Sequence, residues 1–171
     1  MQMLDTRMKD QIVLKFGQTT SKQDMVKSIY VNDDESILFT GSTDGSMRLW
    51  DIRQQAIVKV VGDDKKRSKL NRSLGKSANT IDDFHRDSVW SITPTSDYKL
   101  FTGGRDGRIC EVDILSSRSR KIVEDDKPIT CVAHDAANNY MWYGTSDSTI
   151  SCVKVKDAAE AAMSVFNDDT N

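Results

Sequence analysis

The stretch Thr40-Gly41-Ser42-Thr43-Asp44-Gly45-Ser46-Met47-Arg48-Leu49-Trp50-Asp51 constrains the fold more than any other part of the chain. Bulky, β-prone residues lead into it (Ile37, Leu38, Phe39). The pair Asp44-Gly45 supplies the positive φ that a tight hairpin turn needs. Beyond the turn, Met47 and Leu49 alternate with Arg48, which gives one buried and one less buried face. The stretch reads as a strand, a tight turn and a second strand ending in Trp-Asp.

Two further copies follow. Thr102 to Gly107 repeats Thr40 to Gly45 closely, and Tyr143-Gly144-Thr145-Ser146-Asp147 is a third, more degraded copy. Asp106 and Asp147 stand about forty residues apart, the spacing of a β-propeller blade. Asp44 and Asp106 stand about sixty apart, and setting aside an insert of about twenty residues restores the same period. The expected fold is all-β, with about three four-stranded blades forming an incomplete ring.

Residues 1–11 read as the remnant of a preceding blade, with Leu4-Asp5 where Trp-Asp would stand, so that Met1 falls inside a repeat. Residues 12–52 are expected to form one blade, built from Ile12–Phe16, Met25–Val31 and the two strands of the opening hairpin. Residues 57–114 form a second, interrupted at 62–82 by a polar insert carrying Lys65, Lys66, Arg67, Lys69, Arg72 and Lys76. Its low hydrophobicity marks a loop, with a nuclear-import signal or contact with an acidic partner as alternatives. Residues 121–156 form the third blade, and 157–171 a linker or short alanine-rich helix. Propellers close with about 4–8 blades, so further blades from a longer protein or from another chain are expected to complete the ring.

Composition narrows the function classes. The formal net charge is −2, which gives no reason to expect nucleic acid as a partner. No apolar run reaches the length of a membrane span and no signal-peptide pattern opens the chain, so the expected location is cytoplasm or nucleus. Three cysteines, Cys110, Cys131 and Cys152, each sit in a strand-like run and are expected to be buried thiols. There is no Cys-x-x-Cys pair and no histidine at ligand spacing, so neither metal nor cofactor is expected. His85-Arg86-Asp87 is similar to the catalytic loop of protein kinases, but Ile92 stands where that loop needs a magnesium-binding Asn. Gly103-Gly104-Arg105-Asp106-Gly107 lacks the Lys-Ser/Thr of a phosphate cradle and reads as a hairpin turn. No nucleophile–base or metal constellation remains, and an enzyme is not expected.

The repeated hairpins resemble the WD40-repeat family. That resemblance implies a buried hydrogen-bond chain in each blade, from a Trp through a Ser or Thr and a loop His to the Asp of the tight turn. On the matching positions the first blade has Trp50, Thr40 and Asp44. The second has His85, Thr102 and Asp106, with Val112 where Trp would stand, and the third keeps Asp147 alone. With no chain complete, the blades are expected to depend on apolar packing between neighbours. The resemblance also implies a non-catalytic scaffold that binds protein partners through loops gathered on one propeller face. Thr43, Arg86, Asp87, Arg105 and Ser146 are the candidate binding residues there, with Trp90 close by, and Trp and Arg are enriched in binding hot spots.

Within the family, several runs are similar to propellers that bind and activate ubiquitin-specific deubiquitinases. They are Ser42 to Trp50 with Gln54-Gln55, then His85-x-x-x-Val89-Trp90 with Gly103 to Asp106. Asp126-Lys127-Pro128-Ile129 and Trp142 to Thr149 complete the set. The likeness implies a ubiquitin-specific protease as partner, and ubiquitin itself. The alternative is a generic WD40 adaptor in a ubiquitin-ligase or chromatin complex.

Overall fold

A computed structural model describes residues 2–4, 12–15, 25–62, 84–96, 98–116 and 118–155, with the backbone alone for 2–4, 12–15 and 96. The leading loop 17–24, the basic insert and the tail from 157 lie outside the described residues. So does Asp5 of the blade remnant.

Every described strand pairs antiparallel. β1 (Gln2–Leu4) and β2 (Ile12–Lys15) form a two-stranded sheet. The first blade is β3 (Val26–Val31), β4 (Ile37–Ser42), β5 (Met47–Asp51) and β6 (Ala56–Val61), in that spatial order. The second is β7 (Val89–Ser96), β8 (Lys99–Gly104), β9 (Arg108–Asp113) and β10 (Arg118–Glu124). The third holds β11 (Ile129–Asp135), β12 (Tyr140–Thr145) and β13 (Ile150–Lys154) among the described residues.

The sheets are therefore offset by one strand from the expected 12–52, 57–114 and 121–156 units. Ile12–Lys15 does not join the first blade. It pairs with β1, while β6, expected to open the second blade, closes the first. β10 likewise closes the second blade rather than opening the third. The reason is loop closure. Only residues 52–55 separate β5 from β6, and Asp51 Oδ1 caps that turn by accepting the Gln54 N–H at 2.8 Å. Docking β6 on the second blade would instead have required closing the long insert, at a higher entropic cost.

Alternation in β4 and β5 gives the first blade two faces. Phe39 and Gly41 pair with Leu49 and Met47 on one, and Leu38 and Thr40 pair with Trp50 and Arg48 on the other. Phe39, Met47, Leu49 and Val61 pack with Phe84, Val89, Leu100, Cys110 and Val112 in one buried cluster that seams the first two blades. Phe101 and Ile109 pack with Ile129, Val132, Met141, Tyr143 and Val155 in the second seam. Each large side chain fully buried there stabilises the fold by about 1.5–3 kcal/mol, so these seams supply the main cohesion between blades. Gly41 and Gly103 let the neighbours close in. A Cβ on Gly41 would lie 2.8 Å from Val89 Cγ1, and one on Gly103 would lie 2.8 Å from Val132 Cγ2.

The cysteines divide. Cys110 is buried in the first seam, but Cys131 and Cys152 are exposed, contrary to the expectation of three buried thiols. Strand alternation puts both on the outward face of the third blade, where no described residue covers them.

Candidate functional site

Three tight turns of one design cap the hairpins at one end of the blades. Gly45, Gly107 and Ser148 occupy the same position, with φ of 77°, 74° and 68°. Glycine takes this left-handed conformation without strain, and Ser148 takes it in the third copy. In each turn the preceding Asp accepts a backbone N–H two residues on. Asp44 accepts that of Ser46 at 2.9 Å, Asp106 that of Arg108 at 3.2 Å and Asp147 that of Thr149 at 3.3 Å. This Asx arrangement is why an acid stands at that position in every copy.

Each turn is pinned to the segment that leads into its own blade. The Thr43 N–H donates to Met25 O at 3.0 Å, Arg105 to Ser88 O at 2.9 Å, and Ser146 to Pro128 O at 3.0 Å. Neighbouring blades interlock at the same end. Ser88 Oγ donates to Thr43 O at 3.4 Å, and the Asp125 N–H donates to Gly107 O at 2.8 Å. The turn end is thus one continuous surface rather than three separate loops.

Beneath it lies a polar core. His85 is buried, with Nδ1 2.9 Å from Asp106 Oδ1 and Nε2 2.9 Å from Thr102 Oγ1. With Val112 in place of a Trp, the Thr102 hydroxyl donates to the Cys110 carbonyl at 3.3 Å. The second blade therefore carries a satisfied three-residue tie, and the expectation that packing alone holds the blades is corrected for it. The first blade keeps its own part, since Trp50 Nε1 donates to Thr40 Oγ1 at 2.9 Å. In the third, Thr145 Oγ1 donates to Asp147, a local substitute confined to the turn.

Electrostatics follow from these bonds. Burial pushes the Asp106 carboxyl up, but the His85 hydrogen bond, the His85 charge and the N–H groups of Arg86 and Arg108 outweigh it and hold it below its ordinary value. Asp44 behaves alike, with burial opposed by the Ser46 hydroxyl and N–H and by Arg48, and the result again is a lowered value. Asp147 is lowered chiefly by its bonds from Thr145 and Thr149.

The candidate binding residues separate into two groups. Arg86, Asp87 and Arg105 come together. Arg105 and Asp87 form an exposed ion pair at 3.6 Å, and the Arg86 N–H donates to Asp106 Oδ2 at 2.7 Å, leaving its side chain exposed. Thr43 adjoins them but is engaged within the fold, accepting the Met25 N–H at 2.9 Å through its hydroxyl. Ser146 lies on the third turn and is exposed. Trp90 is half-buried in β7, where the pairing register shifts between Val89 and Ser91, and belongs to neither buried seam.

Arg108 escaped the sequence reading. Only 4% exposed, it donates to Phe84 O at 3.3 Å and pairs with Glu124 at 3.1 Å, so it fixes the backbone just before His85. Its signal was a charged residue directly after Asp-Gly on an otherwise apolar strand face. Among the described residues no group of three or more His, Cys, Asp or Glu could hold a metal ion. The arrangement offers a rigid, mixed-charge surface.

The family model for the WD domain, G-beta repeat, matches residues 13–51 and 75–111, each ending at or just short of a third strand's close. Among solved structures, U3-55K superposes with a TM-score of 0.61 at 17% identity, over 79% of this chain and 37% of that one. The WD40 repeats of RRP9 give 0.61 at 16% identity, over 79% and 37%. A chain in the mitotic checkpoint complex gives 0.60 at 15% identity, over 79% and 35%. This chain spans little more than a third of the length of those proteins, and at such identities the likeness is one of fold.

Proposed function

We propose that this chain, which carries WD40 repeats laid out as propeller blades, is a non-catalytic docking scaffold for protein partners. The observation that carries this reading is the turn-end surface. Arg86 and Arg105 stand exposed, with Asp87 half-buried between them, on loops that the buried His85–Thr102–Asp106 tie holds in place. Binding residues on a rigid support lose little conformational entropy when a partner docks. Arginine at such a surface is a favoured anchor for a partner's carboxylates.

The finer reading is that the partner is a ubiquitin-specific protease, with ubiquitin as a second ligand, in the cytoplasm or nucleus. Its support is the resemblance of Ser42 to Trp50, His85 to Trp90, Gly103 to Asp106 and Trp142 to Thr149 to WD repeat-containing protein 48. The test is a pull-down with a ubiquitin-specific protease joined to a ubiquitin-cleavage assay. The expected result is capture together with a faster cleavage rate. Both should fall at least about tenfold in an Arg86→Glu/Arg105→Glu variant, the size of a lost hot-spot contact. Absence of both capture and stimulation removes the deubiquitinase reading and leaves the adaptor role in a ligase or chromatin complex.

A further inference from the structure

The two seams between blades share one plan at the turn end and differ at the opposite end. By strand register, Lys99, Glu111 and His134 in the second seam stand where Ile37, Leu49 and Pro94 stand in the first. Ile37, Leu49 and Ile114 close the first seam with apolar contacts. Lys59 then ties its rim, donating across the blades to Ile114 O at 2.5 Å and to Leu115 O at 3.4 Å. The matching residue in the second blade is Arg120, which instead stays on its own blade. It donates to Glu111 Oε2 at 2.7 Å through Nη2 and at 3.2 Å through Nε.

The second seam is left with a cavity of about 120 Å³ at the end of the blades away from the tight turns. Phe101 and Val155 give it an apolar floor, and the His134 ring stands edge-on to Phe101 with centroids 5.3 Å apart. Its rim is polar, made by Lys99, Glu111 and Asn139. Thr95 lines it too, and the Thr95 hydroxyl is buried with no hydrogen-bond partner among the described residues. An apolar floor under a few convergent polar groups is the make-up of a binding pocket, and a buried hydroxyl without a partner calls for one.

Charge decides what fits. Arg120 neutralises Glu111, while Lys99 Nζ lies 3.9 Å from Glu111 Oε1, beyond hydrogen-bond reach, on a side chain 41% exposed. The cavity therefore carries one cation more than its carboxylate balances. His134 Nε2 is 3.5 Å from Asn139 Oδ1, so the imidazole spends little of its hydrogen bonding within the fold.

We propose that this inter-blade cavity binds an acidic side chain of a protein partner, a glutamate or aspartate whose methylene stem rests on Phe101 and Val155. Its carboxylate accepts from Lys99 Nζ and from the His134 ring, in hydrogen bonds strengthened by the ligand's charge. The inference rests on the second seam alone, so a chain that loses turn-end docking through Arg86→Glu/Arg105→Glu still binds here.

The test is a proton NMR titration of the full chain with N-acetyl-glutamate methylamide, followed at the imidazole rings. The chain has two histidines, and buried His85 serves as the internal control. A saturable shift of the His134 resonances is expected, with those of His85 unmoved. The uncharged isostere N-acetyl-glutamine methylamide should bind at least about fivefold more weakly, and Lys99→Gln should weaken the glutamate probe by about the same factor, the size of a partly exposed ion pair. Lys99→Ile/Glu111→Leu restores the residues of the first seam and should abolish the shift, with the His85 resonances reporting an intact fold. Should that double variant fail to fold, Lys99→Gln and the two probes still decide. No saturable shift at His134, as for a cavity that holds water only, overturns the proposal. So does equal binding of the two probes, tighter binding of N-acetyl-lysine methylamide, or an unchanged shift in the folded double variant.

Discussion

Replacing His85 by alanine tests the second blade's polar tie and its role under the binding surface together. The imidazole is buried and makes two bonds, to Asp106 Oδ1 and Thr102 Oγ1, each at 2.9 Å. Losing the bond to the carboxylate costs about 1.5–3 kcal/mol and the bond to the hydroxyl about 0.5–1.5 kcal/mol. Both partners keep other contacts. Thr102 still donates to Cys110 O, and Asp106 still accepts from the Arg86 and Arg108 N–H groups. The loss should therefore stay near the middle of the sum, at about 3 kcal/mol, with lost edge-on contact against Phe84 included. At a urea slope of about 2 kcal/mol per M this moves the unfolding midpoint down by about 1.5 M. Chemical denaturation followed by tryptophan fluorescence measures it directly. A cycle with Thr102→Val should show a coupling of about 0.5–3 kcal/mol, as expected for residues in one network. A midpoint unchanged within error, or strictly additive single effects, would refute the claim that this tie holds the blade.

Three further outcomes follow from the geometry. Trp50→Ala should cost about 3–5 kcal/mol, since the ring is only 6% exposed and packs on Leu38, and Trp50→Phe should cost distinctly less by losing mainly the bond to Thr40. Thermal unfolding of the two variants distinguishes them. Asp106 has a folded value below its ordinary 3.8, so its ionised form stabilises the fold fully above that pH, and the contribution is lost as pH falls through the folded value. Urea midpoints across about pH 2–5 should therefore drop less steeply for Asp106→Asn than for the unaltered chain. Gly103→Val should separate the second and third blades, because its side chain would collide with Val132 and Ile129, and should raise amide exchange in β8 and β11 together.

Strand positions were legible because each hairpin has alternating apolar residues and an Asp-Gly or Asp-Ser turn. In the folded chain Trp50 donates to Thr40, and His85 lies between Thr102 and Asp106. Blade boundaries were not legible. The β-branched run Ile57–Val61 identifies a strand but carries no information on whether it pairs with the strand before it or beyond the insert. The capped turn from Asp51 to Gln55, with Gln55 at a φ of 52°, decides that locally. The exposure of Cys131 and Cys152 could not be read from strand residues alone, since burial there depends on what covers the third blade. Arg108 was hidden for a related reason. An arginine next to a turn usually extends into solvent, and only the carbonyl of Phe84 and the carboxylate of Glu124 hold this one inside.

The docking claim is tested most directly by hydrogen exchange on the chain alone and bound to its captured protein partner. New protection is expected to concentrate at residues 84–88 and 105–107, with His85→Ala weakening both the protection and the affinity. Protection confined to the outer strands β6 and β10, with the turn end exchanging as before, would contradict it.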